Sequence, residues 1–298
     1  MANLRDLRKR RKGAANTKKI TRTMELVSSA KLKKAQDAAA ASRPYADGLR
    51  QLVSELSAAA GRGVSHPLMT QRPVKTVRIY LACSDRGLAG AFNANLVGLG
   101  LQRAKHYQAQ GAKVEFVALS KKAASTLRFN GVTPVEAHSG MVGATKYAQA
   151  EPVAADAMAK FLGKQCDVVE VVYSRFISAV RQVPDTLTLL PAGGEDLSVA
   201  KNAAKSAGKL TASPVYEFIP EPEELLAALV PQMIKTALFS ALLQTSAAEH
   251  AARRIAMKNA SDAATDMVKI LGGKYNRGRQ SKITQEIAEI TGAVEAMA

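Results

Sequence analysis

The sequence contains no tryptophan, and aromatic residues make up only 5% of its 298 positions. Compact cores usually take much of their bulk from aromatic side chains, so this composition favours alanine-rich helices. The only cysteines, Cys83 and Cys166, lie far apart and form no CxxC pair. This spacing argues against a disulfide framework or a zinc site and makes a reducing compartment the default. No uninterrupted apolar run of about 18 residues is evident, so we expect no membrane span.

Positive charge is the strongest bias that remains. The chain has 42 Lys and Arg against 25 Asp and Glu, a net charge of +17, and 12 of the basic residues fall within residues 1–34. Three interpretations are open: nucleic-acid binding, a solvated helix face, or an electrostatic match to an acidic protein. The lack of interleaved aromatics and of a DNA- or RNA-reading motif counts against nucleic acid.

A long helix is predicted at each end of the chain. Over residues 3–58 the large apolar residues are spaced by threes and fours, which places them on one stripe. The stripe comprises Leu4, Leu7, Ile20, Met24, Val27, Leu49, Leu52 and Leu56. A similar stripe runs through residues 223–296, which include Ile234, Leu238, Met267, Ile270, Ile283, Ile287 and Ile290. At 1.5 Å per residue the two helices would be roughly 80 Å and 110 Å long.

Helix-breaking residues interrupt both predicted helices. Gly13 costs about 1 kcal/mol in a helix interior and Pro44 about 3 kcal/mol. Because the stripe resumes after Pro44, we expect a bend there and not a stop. In the second helix the weak points are Pro231 and the Gly272–Gly273 pair.

The middle of the chain, residues 74–219, alternates strand and helix patterns. The predicted strands are 76–83, 113–119, 167–174 and 180–191, with Pro184 at an edge or bulge, and the predicted helices are 92–109, a short one ending near 129, and 151–162. Residues 191–213 read as loop and 215–219 as a short strand. This alternation predicts a mainly parallel sheet covered on both faces.

The predicted fold class is α/β, with a long antiparallel coiled coil of the N- and C-terminal helices and an inserted Rossmann-like α/β domain. Residues 1–58 and 222–298 would form the coiled-coil shaft, and residues 74–219 the α/β domain. A parallel pairing would need a long return connection, which favours the antiparallel one. Neither stripe keeps a strict heptad, so we expect irregular supercoiling.

Motifs for catalysis are absent from the sequence: it has no GxxxxGK[ST], GxGxxG, GxSxG or HExxH. The best candidate site is SDRGLAGAFN, residues 84–93, at the carboxyl end of the first predicted strand. It could bind a small anion or nucleotide through Arg86, or it could be a tight turn that needs glycine. No phosphate-binding lysine or ribose-binding acid follows, which favours the turn. We expect no catalytic residue, cofactor or metal site.

Several segments together resemble the gamma subunit family of F-type ATP synthases. They are KKITRTMELV and SRPYA in the first predicted helix, SDRGLAGAFNANL in the insert, and AAEHAARRIAMKNASDAATDM and YNRGRQSKITQEIAEITGA in the last helix. The resemblance covers essentially the whole chain. ITQE at 283–286, with Glu289 three residues on, is its most specific piece.

The resemblance implies a non-catalytic rotor shaft. Its expected partners are a ring of alternating alpha and beta subunits, the epsilon subunit and the membrane c-ring. It implies no nucleic-acid partner, and membrane contact only through the complex, at the cytoplasmic face of a bacterial inner membrane. Rotation of the shaft would drive the beta-subunit sites in turn through different nucleotide affinities.

The resemblance also implies contact residues. The family's contacts to the beta subunits correspond to Met24, Arg253, Arg279, Gln280, Thr284 and Glu286. The ring-contacting foot corresponds to Tyr216, Glu217 and Phe218. The residues themselves leave alternatives open, since Met24 also fits a core position and both arginines also fit a solvated helix face.

Overall fold

A computed structural model describes residues 4–59, 66–143, 145–193 and 221–297. The elements are α1 Leu4–Ala59, a 3-10 turn Pro67–Met69, β1 Thr76–Leu81, α2 Phe92–Ala109, β2 Lys113–Ala118, α3 Lys121–Phe129, β3 Glu136–Ala137, α4 Tyr147–Leu162, β4 Val168–Phe176, β5 Gln182–Leu190 and α5 Pro222–Met297. The two long terminal helices are confirmed. Each contains its proline, Pro44 or Pro231, without ending there.

The chain divides into two compact units. Unit 1 comprises Met1–Ser29 and Arg253–Ala298, and unit 2 comprises Ala30–Ala252. Both α1 and α5 therefore contribute residues to each unit. The division of the sequence into 1–58 with 222–298 and a separate 74–219 domain stays a prediction.

Unit 2 is built around a five-stranded sheet with the order β3-β2-β1-β4-β5. Strands β1 to β4 are parallel, and β5 pairs antiparallel with β4 at the edge. The order reverses direction between β1 and β4, which is the doubly wound arrangement expected of a Rossmann-like domain. Pro184 lies on the edge strand, where its missing N–H is tolerated. The sequence did not predict β3, which has only two residues.

The sheet is buried on both faces, because successive residues of β1 point to opposite sides. Val77, Ile79 and Leu81 pack in the cluster formed with α2 and α3. Tyr80 packs in the cluster on the other side, formed with α4 and the unit 2 parts of α1 and α5. Parallel strands covered in this way read as apolar runs, which explains why the strand pattern in the sequence was strong.

The unit 2 part of α5 is a core helix. Its fully buried row is Leu226, Val230, Ile234, Leu238 and Leu242. One 18-residue window of this helix is apolar enough to span a membrane by length and composition, with a mean hydropathy of 1.6, and 39% of that window is buried. The window is apolar on average and is not an uninterrupted apolar run, because Gln232, Lys235 and Thr236 interrupt this part of the helix. Packing of the apolar row against the α/β core accounts for the buried part of the window.

Within unit 2, α1 and α5 pack together and run antiparallel. Leu32 of α1 contacts Ala247 and Ala251 of α5. Further along α1, the Tyr45 hydroxyl lies 3.4 Å from the Gln232 amide nitrogen. Since the position on α5 falls as the position on α1 rises, the predicted antiparallel pairing is confirmed here.

One arginine ties the segment before β1 to the base of the sheet. The Arg72 guanidinium donates to the carbonyl oxygens of Phe161, at 2.6 Å, and Cys166, at 2.7 Å. Its Nε lies 3.1 Å from Asp167, and its cationic plane stacks 4.2 Å from the Phe161 ring centroid. Asp167 also accepts from the backbone N–H groups of Lys75 and Thr76. These contacts fix the start of β1 beside the start of β4.

Replacing Arg72 with alanine should therefore destabilise unit 2. We expect R72A to lose about 2–4 kcal/mol of unfolding free energy in urea, because two carbonyls and a carboxylate lose a partly buried charged donor. The matched control is R128A, since Arg128 is exposed at the end of α3. That control should change stability by less than about 0.5 kcal/mol. Equal effects of the two substitutions would contradict the assigned role of Arg72.

The same cluster makes unit 2 sensitive to acid. Burial opposes ionisation of Asp167, but hydrogen bonds from Thr76 and Lys75 and the charge of Arg72 outweigh it and hold the pKa below its ordinary value of 3.8. A carboxyl with a depressed folded pKa stabilises the fold above its unfolded pKa and loses that contribution as the pH falls. We expect unfolding free energy to fall from about pH 5 to about pH 3, less steeply in D167N. Identical slopes in urea titrations of the two proteins would refute this.

Candidate partner-contact surface

The helices of unit 1 meet along a seam that combines small, polar and larger apolar residues. On α1 the residues that are buried or half-buried include Leu4, Leu7, Arg11, Ala14, Thr21, Glu25 and Ser28. On α5 they include Met257, Ser261, Ala264, Val268, Leu271, Tyr275 and Gly278. On α5 the spacing alternates between four and three, which is typical of a heptad seam, whereas on α1 it is interrupted at Lys18, which is exposed. The expected irregular supercoiling stays a prediction.

Two contacts fix the direction of this helix pair. A Cβ on Gly278 would lie 3.2 Å from the Leu4 side chain, so glycine here permits close approach. The Arg11 guanidinium lies 5.0 Å from the centroid of the Tyr275 ring. As the position on α1 rises the position on α5 falls, so this pair is antiparallel too.

Several large apolar residues of unit 1 face outward, contrary to the predicted stripe. Ile20 is 61% exposed and Val27 50% exposed, and on α5 Met267 and Ile270 are also exposed. The sequence-based stripe was chosen by side-chain size, whereas Ala14, Thr21 and Ser28 occupy the seam. Small residues are favoured there because they let the two helix axes approach closely, as the abundant alanine suggested.

The end of α5 has no helix beside it among the described residues. Leu4, where α1 begins, lies beside Gly278, and every described residue of 279–297 is exposed. This segment, which we call the tip, still carries an apolar stripe formed by Ile283, Ile287, Ile290 and Val294. Its polar side chains bond within the helix, as when Gln285 donates to Glu289 at 2.9 Å. An amphipathic helix with an uncovered apolar face indicates a binding surface.

The tip includes four of the predicted beta-subunit contacts. Arg279, Gln280, Thr284 and Glu286 are all exposed. The Thr284 hydroxyl donates to the Gln280 carbonyl at 3.0 Å, which confirms that these two residues share a face, and Lys282 lies 3.4 Å from Glu286. Residues 283–290 thus combine exposed apolar and charged groups, which suits a protein interface.

The other predicted contacts are placed differently. Met24 is half-buried at the margin of the seam, between Thr21 and Ser28. Arg253 is only 7% exposed, so the solvated-face interpretation of this arginine was wrong. Tyr216, Glu217 and Phe218 lie outside the described residues. The assignment of all these residues as subunit contacts stays a prediction.

Positive charge is concentrated in unit 1. Residues 1–29 and 253–298 together hold seventeen Lys and Arg against seven Asp and Glu. The basic run from Arg8 to Arg10, like Lys18 and Lys19, is exposed. The surface that displays the apolar residues is therefore also strongly cationic, which would attract an acidic partner over a distance of about one Debye length or 8–10 Å.

The SDRGLAGAFN loop of unit 2 is held by its own hydrogen bonds. The Ser84 N–H donates to the Asn93 side chain at 3.0 Å, and the Asp85 carboxylate accepts from the N–H groups of Lys121 and Gly140, both at 2.9 Å. Leu88 and Gly90 have positive φ angles, 63° and 62°. This geometry supports the interpretation of the loop as a tight turn.

Helix α5 fills the place where a doubly wound sheet binds its ligand. Such ligands lie in the crevice at the carboxyl ends of the strands where the strand order reverses, here between β1 and β4. Ala248 of α5 is fully buried in the cluster with Cys83 and Ala89, which follow β1. The Thr245 hydroxyl accepts from the N–H of Ser174 in β4 at 3.2 Å. The crevice is thus occupied by the protein's own helix.

The titratable side chains of unit 2 serve the fold. Both cysteines are free and buried, and burial raises the pKa of the Cys166 thiol to about 11. Arg78 bridges Glu115 and Glu136 at 3.1 Å each across neighbouring strands. Among the described residues, no group of three or more His, Cys, Asp and Glu side chains could hold a metal ion.

These features define a scaffolding and binding class of protein. It combines an antiparallel helix pair that has an uncovered apolar end with a doubly wound domain whose ligand crevice is filled. A family model described as ATP synthase matches residues 3–297. The ATP synthase gamma chain of Leptospira biflexa is 39% identical over 299 residues, covering 100% of both chains. That of Rhodopirellula baltica is 40% identical over 298 residues, covering 100% of this chain and 99% of the relative.

The chain therefore belongs to the ATP synthase gamma chain family, as the resemblance implied. A member of that family is a non-catalytic component of the ATP synthase complex. The fold is shared with a chain of the Euglena gracilis mitochondrial ATP synthase OSCP/F1/c-ring structure, with a TM-score of 0.63, 21% identity, and coverage of 99% of this chain and 94% of that one. A Tetrahymena thermophila central stalk/c-ring chain gives 0.60 at 23% identity, covering 81% and 99%.

The seam can be tested by overpacking it. We expect A264L to destabilise the helix pair of unit 1 by about 1–3 kcal/mol, because Ala264 is buried where the axes approach closely. The matched control is A263L at the neighbouring exposed alanine, which should leave the pair intact. The measurement is thermal unfolding followed by far-ultraviolet circular dichroism. If both variants melted alike, the seam would be misassigned.

Proposed function

We propose that this chain is the rotating shaft of a bacterial ATP synthase. In this proposal unit 1 turns inside a ring of alternating alpha and beta subunits. Its asymmetric surface drives the three beta-subunit sites in turn through different nucleotide affinities. The chain itself performs no chemistry on ATP, which agrees with a crevice filled by α5.

The observation that carries the proposal is the uncovered apolar stripe of the tip. Ile283, Ile287, Ile290 and Val294 are 46–66% exposed on a helix that no described segment accompanies. Exposed apolar area of this kind is unfavourable in water and is expected to be covered in the working assembly. A ring of alpha and beta subunits that encloses the tip would cover it from all sides.

The rest of unit 1 suits a surface that must move past its partners. Large aromatic anchors mark tight binding hot spots, and the only aromatic residue in Met1–Ser29 and Arg253–Ala298 is Tyr275, which stacks with Arg11 in the seam. Exposed lysines and arginines act over several ångströms and are screened by salt. Acidic beta-subunit loops would therefore be attracted without being locked at one angle.

The proposed contacts follow from this arrangement. Arg279, Gln280, Thr284 and Glu286 would meet the beta subunits at the tip, and Met24 would meet them along α1. Arg253 would make its contact only through the edge of a largely buried side chain. Tyr216, Glu217 and Phe218 would contact the c-ring, near the epsilon subunit.

The remaining partners are inferred from the relatives. The matched solved structures are a central stalk/c-ring chain and a chain of an OSCP/F1/c-ring assembly, and the gamma chains of Leptospira biflexa and Rhodopirellula baltica are bacterial. We infer that ion flow through a c-ring turns this chain, that it sits peripherally at the cytoplasmic face of the inner membrane, and that it touches the membrane only through the complex. We infer no nucleic-acid partner.

The decisive experiment reconstitutes the chain with its alpha and beta subunits and compares two variants of the tip, one with four substitutions and a control with three. The first replaces Ile283, Ile287, Ile290 and Val294 with serine. It should lower the torque of ATP-driven rotation at least about twofold, because about 1–2 kcal/mol of apolar contact is lost at each site. Rotation of a bead attached to unit 2 reports the torque.

The control variant alters the opposite face of the same segment. It replaces Ser281, Gln285 and Gly292 with alanine and leaves Ala288, on the same face, unchanged. Its torque should match the unaltered complex. The isolated chain should hydrolyse no ATP, whereas the complex should. Measurable turnover by the isolated chain, or equal torque from the serine variant and the control, would disprove the proposal.

A further inference from the structure

Four glycines within the helices of unit 1 are not required by packing: Gly292 lies in the tip, and the other three lie where α1 and α5 run side by side. A Cβ added to Gly13 of α1, or to Gly272 or Gly273 of α5, would meet nothing within 4 Å. All three residues lie inside continuous helix, and none has the positive φ that would exclude alanine. Glycine weakens a helix about fivefold per residue relative to alanine. At Gly278, by contrast, the Leu4 side chain explains the glycine.

The three glycines lie at one level of the helix pair. Arg11 stacks on Tyr275, which places these two residues side by side. Because the helices are antiparallel, moving two residues forward from Arg11 and two back from Tyr275 goes in the same direction along the pair. These steps, about 3 Å each, lead to Gly13 and Gly273. A single helix of the pair with low local stability would be supported by a stable neighbour. Here glycine lowers the local stability of both helices at the same level.

On α5, burial of the seam decreases towards this level. Met257, Ser261 and Ala264 are buried, whereas Val268, Leu271 and Tyr275 are only half-buried, although Ala14 of α1 is buried here. The level of the prolines in unit 2 is different, because Pro231 follows the fully buried Val230, and Tyr45, next to Pro44, contacts Gln232. Fully buried core residues therefore surround the proline level, whereas the seam residues of α5 at the glycine level are only half-buried.

We propose that Gly13 and the Gly272–Gly273 pair form a compliant joint in the helix pair of unit 1. At this joint both helices open or bend more readily than on either side. The joint is a property of the chain itself and does not depend on the proposed rotor function. Its use in transmitting rotation does rest on that function.

Hydrogen exchange of the full-length chain tests the joint directly. The reporters are the amides of Asn276 and Arg277, whose helical acceptors are the carbonyls of Gly272 and Gly273. We expect their protection factors to be at least about tenfold lower than those of Ser261 and Ala264. The double variant G272A/G273A should raise protection at both reporters by about tenfold or more.

The more specific test is whether a substitution in α1 changes hydrogen exchange in α5. G13A alters only α1, yet it should raise protection at Asn276 and Arg277 of α5 about twofold or more, because the two helices open together. The matched control is G48A, a second glycine of α1 with no neighbour within 4 Å, which lies in unit 2. It should leave both reporters unchanged. No response to G13A, or an equal response to G48A, would overturn the joint.

A second experiment uses the assembled complex and separates the joint from the rotor proposal. In a stalled complex, a bead on unit 2 should show angular fluctuations about twofold narrower with G13A/G272A/G273A than with the unaltered chain. Unchanged fluctuations would overturn a mechanical role for the joint. If the alanine variants failed to assemble while exchange stayed unchanged, close approach of a partner would explain the glycines and the joint would be wrong. Failure of the unaltered chain to assemble would count against the rotor proposal alone.

Discussion

The contact between α5 and the carboxyl ends of the sheet is the constraint on which the rest of unit 2 depends. Thr245 and Ala248 occupy the crevice between β1 and β4, and the row from Leu226 to Leu242 completes the core on the other face. A doubly wound domain offers that crevice to a ligand by default. Here α5 occupies the crevice. A fold often associated with nucleotide binding therefore holds one of the protein's own long helices in place.

Unit 1 differs from unit 2 because much of its apolar surface stays exposed instead of being packed in a core. Small residues such as Ala14, Ser28 and Ala264 alternate with larger ones in its seam and bring the axes close, while other large apolar side chains, such as Ile20 and Ile270, are left on the outside. A seam of this kind gains less from apolar burial than one built from leucine. The proposed function requires the outer surface of this helix pair to contact other subunits. Apolar area that is not buried between the two helices remains available for those contacts.

Helix-breaking residues are handled differently in the two units. In unit 2 the prolines of α1 and α5 occur near one another beside fully buried apolar residues, so the core holds both helices in place. In unit 1, Gly13, Gly272 and Gly273 face open space, and the seam residues of α5 beside them are only half-buried. In the proposed joint, stiffness would therefore be set locally by how much apolar packing surrounds each weak point, and not by helix length alone.

Periodicity alone was sufficient to predict the two terminal helices, the strands β1, β2, β4 and β5, and the helix Phe92–Ala109, because each pattern was long or strongly apolar. The two-residue β3 was missed, since so short a strand exists only through pairing with β2. The predicted tip contacts came from the family resemblance, and only the structure showed that none of the described helices accompanies their segment. The sequence could not identify the seam, because Ala14 and Ser28 do not stand out in an apolar pattern. It could not identify the burial of Arg253 either. The seam and this burial both depend on how closely the helices approach. Local pattern determined which segments are helix or strand, and tertiary packing decided which of their faces remain free.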